Sequence, residues 1–126
     1  WLALSQGDRL ETRRLRPGIH VVCNRDPHDP SSGKVRRIEA MLLQLDLTSG
    51  LEKLVDGLEQ VLGAHPDGSN SLENPCVHTT GYGTRSSTVL AVGPERRMWR
   101  YADGAPCETR YQNFSRLLDE LPQAVT

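Results

Sequence analysis

A chain of 126 residues is one domain's worth of sequence, and with 37% hydrophobic and 5% aromatic residues its core must be modest and aliphatic. A formal net charge of −1 argues against a nucleic-acid or anionic-membrane partner. No apolar run reaches the length of a membrane span and nothing resembles a signal peptide, so a cytoplasmic protein is expected.

From the N-terminus, Trp1 to Ser5 reads as a strand, Gly7-Asp8 as a hairpin-type turn, and Leu10 to Leu15 as a second strand with Leu10, Thr12 and Leu15 inward. Pro17-Gly18 marks another turn and Ile19 to Val22 a third strand, which would complete an antiparallel meander. Asn24 to Gly33 is expected to be a loop. Val35, Ile38, Met41, Leu42 and Leu45 recur at helical spacing and predict a helix over 34–46. Leu51, Leu54, Val55, Leu58, Val61 and Leu62 predict a second over 50–62, with Ser49 and Glu52 in capping-box spacing and Gly63 at its stop. Ala64 to Pro75 has the composition of a surface loop, and Cys76-Val77-His78 that of a short strand. Strands over 86–92 and 97–101 flank Gly93-Pro94 as a hairpin. A last helix over 113–121 uses Phe114, Leu117, Leu118 and Leu121. Strands and helices in this order predict one α+β domain, with helices packed on an antiparallel sheet.

The most informative run is His78-Thr79-Thr80-Gly81-Tyr82-Gly83-Thr84-Arg85-Ser86-Ser87-Thr88-Val89-Leu90-Ala91-Val92. Thr84, Arg85, Ser86 and Ser87 gather hydroxyls and one guanidinium at the mouth of a buried strand, a place to hold a carbonyl or carboxylate. The same run also reads as a polar turn whose hydroxyls bond the local backbone. Asn24 ends a strand and opens a loop, as an oxyanion donor or as the head of an Asx-turn. Lys34, Arg36 and Arg37 sit at a helix N-terminus against its dipole, which points to an anionic contact or to water.

The four histidines contain no close pair such as His-x-x-x-His, so neither a metal nor a cofactor is expected. Cys23, Cys76 and Cys107 have no framework spacing and read as reduced thiols. His78 and Cys76, two positions apart on a strand, point to one face and form a couple if geometry allows. Cys107 stands in a turn after Ala105-Pro106, with no role legible.

Gly83-Thr84-Arg85-Ser86-Ser87-Thr88-Val89-Leu90 resembles the hallmark of the C-terminal half of the NRDE family, the relatives of transport and Golgi organisation protein 2. A second match is Pro17-Gly18-Ile19-His20-Val21-Val22-Cys23-Asn24, followed by Asp29-Pro30 and Lys34-Val35-Arg36-Arg37. The resemblance covers about residues 1 to 115. It implies the second half of an αββα sandwich similar to the N-terminal nucleophile hydrolases. Asn24 would line an oxyanion site beside Arg85, and Lys34 or Arg37 would assist. Thr84, Ser86, Ser87 and His78 are the remaining candidate ligand-binding residues. Such enzymes use their first residue as nucleophile. Trp1 cannot serve, so the resemblance implies a Cys-dependent amidohydrolase whose nucleophile lies on a missing N-terminal segment. The alternative is a non-catalytic lipid- or haem-handling protein of the same fold. Trp1 is not a start methionine, so the chain is expected to be part of something longer. Its expected partners are the missing half or a second copy, and an amide or acyl ligand. Lys34 and Lys53 are the only lysines, an arginine bias that fits a bacterial source.

Overall fold

The structure, a computed structural model, describes residues 1–23, 31–68 and 71–120. It is mixed α and β, with small antiparallel sheets and three helices among the described residues. Strands β1 (Leu2–Gln6) and β2 (Arg9–Arg13) pair from Leu2↔Arg13 to Gln6↔Arg9 around the Gly7-Asp8 turn. Leu10 and Thr12 are exposed, Leu10 at 72%, and only Leu15 is half-buried, so β2 does not present the expected inward face.

Residues 19–22 form no strand. They are β-prone, but a strand exists only where a ladder receives its backbone, and the β1–β2 sheet ends at two strands. Val21 alone of the run is buried, and the expected three-strand meander is a hairpin.

Helix α1 (Gly33–Leu42) is capped by Ser32, whose hydroxyl accepts from Val35 N at 3.4 Å. It ends earlier than the apolar spacing predicts and tails off in tight turns, Gln44 N to Met41 O and Leu45 N to Leu42 O. Helix α2 (Leu51–Leu62) forms where expected, but without the capping box. Ser49 instead donates to Asp46 O at 2.8 Å, within a turn where Asp46 Oδ1 accepts from both Thr48 N and Thr48 Oγ1. The local Asx-turn takes the serine, and Gly50 (φ 93) becomes the N-cap.

Strands β3 (His78–Thr79) and β4 (Tyr82–Gly83) form a small hairpin. Strands β5 (Ser87–Val92), β6 (Arg97–Ala102) and β7 (Gln112–Asn113) make an antiparallel sheet in that order, and α3 (Ser115–Asp119) follows. Helix α3 starts two residues after the predicted position. Asn113 is held in the sheet opposite Arg100, and its side chain accepts from Ser115 N at 2.9 Å.

The core is α2 laid on β5 and β6. Val55, Val89 and Met98 are buried, with Leu51, Leu58, Leu62, Ala91 and Tyr111 packed around them. Strand alternation sends the other β5 side chains away from α2, leaving Leu90 56% and Val92 70% exposed. No helix among the described residues is long and apolar enough to cross a membrane.

Candidate metal centre

Three segments around the C-terminal end of α2 converge on one point. The first is the loop after α2. The buried amide of Asn74 organises it, accepting from Asp67 N at 3.1 Å and donating to Gly68 O. Arg37 braces the same loop from α1 through Asp67 (2.8 Å) and Glu73 (3.7 Å). Cys76 N then donates to Ala64 O at 3.4 Å, which closes the loop and sets Cys76 beside His65.

The second segment is the β3–β4 hairpin. Thr84 clamps the buried Val77 on both sides: its hydroxyl accepts from Val77 N at 2.9 Å, and its own N–H donates to Val77 O at 2.9 Å. With Val77 fixed, its neighbours Cys76 and His78 project together, and Cys76 Sγ lies 3.5 Å from His78 Nε2. The third segment is the turn after β6. Gly104, at φ +153, lets the chain reverse where a Cβ would meet Thr109 Oγ1, and Ala105 O then accepts from Glu108 N and Thr109 N. This turn packs against the end of α2 at Gly63, where even a Cβ would make ordinary contacts, 3.4 Å from Pro106 O and 3.5 Å from Cys107 Cα.

The result is a cluster of His65, Cys76, His78 and Cys107, whose donor atoms all lie within 4.8 Å of one another. Cys76 Sγ is 3.6 Å from Cys107 Sγ, His78 Nε2 is 2.9 Å from Cys107 Sγ, and the rings of His65 and His78 are 5.1 Å apart. Tetrahedral zinc with Zn–S of about 2.3 Å and Zn–N of about 2.0–2.1 Å spaces two sulfurs about 3.8 Å apart and a sulfur and a nitrogen about 3.5 Å apart. Two of the measured separations already sit near those values. The His78–Cys107 separation would open by roughly half an ångström.

Burial and polarity point the same way. His65 Nε2 is buried without a hydrogen-bond partner, a costly state for a ring nitrogen unless something electrophilic faces it. Cys107 is exposed on its turn, but the packing around its sulfur shields the thiol from water and, helped by Cys76 beside it, pushes it up to about 11. That shift is opposite to what a Cys–His nucleophile needs, so the 2.9 Å contact does not make Cys107 an activated thiolate. Both thiols of the cluster are free, and 3.6 Å is not a disulfide length.

Of the residues singled out in the sequence as ligand-binding candidates, only His78 belongs to this cluster, joined by its expected couple Cys76, and Thr84 supports it. Ser87 accepts from Tyr111 OH at 2.6 Å, and Arg37 pairs with Asp67 and Glu73. Lys34 is half-buried in the first turn of α1, while Arg85 and Ser86 are exposed between β4 and β5. Asn24 lies outside the described residues. His65 and Cys107 carried no spacing signal, since Cys107 stands 29 positions beyond His78. The one legible sign was the same-face pair Cys76 and His78. Compared with family models, curated proteins and solved structures, the chain matches none.

Proposed function

We propose that this chain is a zinc-binding domain, with His65, Cys76, His78 and Cys107 as the four protein ligands of one ion. The observation that carries the reading is the approach of two sulfur and two imidazole donors from separate segments to within 4.8 Å. That donor set at near-tetrahedral spacing suits zinc. Four protein ligands close the coordination sphere, which is the pattern of structural zinc and leaves no position for a substrate. The ion would fasten the end of α2, β3 and the turn after β6 to one another, and the chain acts as a metal-stabilised binding or scaffolding module.

The test is metal content of the full chain purified without chelator. One zinc per chain is expected, together with a cobalt-substituted form showing tetrahedral ligand-field absorption and a thiolate charge-transfer band. Replacing both thiols, Cys76→Ser with Cys107→Ser, should abolish both signals. Protein without stoichiometric metal, or a double variant that binds cobalt as the unmodified chain does, overturns the reading.

A second reading follows from the NRDE resemblance. Here the chain is the C-terminal part of an NRDE family protein of N-terminal-nucleophile-hydrolase-like architecture. Its partner is the missing half or a second copy, and its nucleophilic Cys lies on a segment outside this chain. Asn24 and Arg85 line a cleft for an amide or acyl ligand, or, in the non-catalytic form, the fold handles lipid or haem. One observation favours it: α2 covers one face of the β5–β6–β7 sheet while Leu90 and Val92 stand exposed on the other, where a sandwich would place its second sheet. Amide hydrolysis by the chain joined to its upstream gene segment, lost in Arg85→Ala at unchanged zinc content, would support the enzyme. Haem or fatty-acid binding without hydrolysis would support the carrier.

A further inference from the structure

The two thiols of the cluster differ in one respect that matters for chemistry. Cys76 is fully buried, while Cys107 is exposed on its turn, so a small oxidant in solvent meets Cys107 first. The buried sulfur waits 3.6 Å behind it. A disulfide needs about 2.05 Å, so the pair must close by roughly 1.5 Å, within reach of a side-chain rotation on an exposed turn.

We propose that Cys107 is a site of oxidation by hydroperoxides, with Cys76 as the thiol that resolves it into a disulfide and thereby ejects the metal. The proposal rests on the zinc reading, because Cys107 is no activated thiolate as a free thiol and coordination is what would make it one. In the first step the Cys107 sulfur attacks one peroxide oxygen and the O–O bond breaks. The departing hydroxide leaves as water, and Cys107 becomes a sulfenic acid. In the second, the Cys76 sulfur attacks the Cys107 sulfur, an S–S bond forms as the S–O bond breaks, and a second water leaves. One hydroperoxide is reduced, and two thiols are oxidised to one disulfide. In the metal-loaded chain the sulfurs start as thiolates, and the protons of the two waters come from solvent. Only His65 and His78 then remain as donors, too few to hold the ion.

The experiment treats the zinc-loaded full chain with hydrogen peroxide at increasing ratios. A chromophoric chelator reads released zinc, and alkylation with mass spectrometry maps the thiols. One zinc released per peroxide consumed is expected, with a Cys76–Cys107 cross-linked peptide and Cys23 still alkylated. Thiol reductant should restore zinc uptake. In Cys76→Ser the sulfenic acid should persist at Cys107 and be trapped by dimedone. Zinc release without that disulfide, oxidation of Cys23 ahead of the pair, or sulfinic acid at Cys107 as the main product overturns the proposal. Metal-free chain is treated in parallel. If no zinc binds but the Cys76–Cys107 disulfide still forms, the metal reading falls and the oxidation site stands. Bound zinc with no disulfide gives the reverse.

Discussion

The clamp of Thr84 on Val77 can be tested by Thr84→Val, which keeps the side chain's shape and removes the hydroxyl oxygen that accepts from Val77 N. Val77 is 4% exposed, so water cannot replace the lost acceptor. A buried donor left unsatisfied costs about 1–3 kcal/mol. The backbone bond from Thr84 N to Val77 O survives, so the hairpin should loosen rather than disappear. Because Val77 sits between Cys76 and His78, part of that cost should reappear as weaker metal binding. Its ceiling is the same about 1–3 kcal/mol, roughly 5- to 150-fold in affinity. Denaturant melts of the metal-free chain read the stability term, and competition with a chromophoric chelator at fixed pH reads the affinity term. Thr84→Ser retains the hydroxyl and should stay close to the unmodified chain in both. If Thr84→Val leaves stability and affinity unchanged, or Thr84→Ser fails as badly, the clamp does not position the ligands and the reasoning is wrong.

Other expectations concern the frame around the centre. Val55→Ala empties the middle of the core and should destabilise by about 2–3 kcal/mol in urea melts, by lost transfer energy and the cavity left behind. Gly104→Ala forces a Cβ against Thr109 at a φ that L-residues rarely adopt, and should cost about 1–3 kcal/mol and weaken zinc binding through Cys107. A metal affinity equal to that of the unmodified chain would show the turn to be dispensable. Burial raises the Glu59 carboxyl above its ordinary 4.5, against the pull of Arg100 at 3.9 Å. A raised folded pKa means that the folded chain holds the proton more tightly. Its contribution therefore favours folding in acid and is lost as pH climbs from the unfolded value through the folded one. Glu59→Gln should flatten that loss, so melts of the two proteins at pH 4 and pH 7 should show a relative gain for the variant at pH 7. A larger penalty at pH 7 than at pH 4 would show the ionised pair with Arg100 to be net stabilising.

Helix α2 was legible because its apolar residues recur every three or four positions, and tertiary packing rewards that stripe. The β5–β6 hairpin was legible because Gly93-Pro94 separates two β-prone runs. Residues 19–22 were not, since their composition is that of a strand while the partner that makes one is a matter of tertiary structure. The capping box failed for a local reason, as Asp46 competes for Ser49 and wins. The centre was half legible at most. Cys76 and His78 announce themselves by standing two positions apart, although the strand begins only at His78 and Cys76 lies in the bend before it. His65 arrives through the Ala64–Cys76 closure and Cys107 through the packing of its turn on Gly63. Neither contact leaves a periodic trace. The sequence offers Thr84 as a ligand-binding hydroxyl, whereas in the structure that hydroxyl accepts from the backbone between two proposed ligands.

The approach of Gly63 to Pro106 and Cys107 also bears on the order of folding. Among the four donors only Cys76 and His78 are neighbours in the chain, while Cys107 stands 31 positions from Cys76. The site therefore does not exist until β5 and β6 have paired and α2 has docked on them. An ion held by all four donors would gain its Cys107 bond only after those steps, and that bond should act on unfolding more than on folding. It would be a latch on a door already closed, and its Cys107 bond should lengthen the lifetime of the folded chain more than it changes the speed of folding.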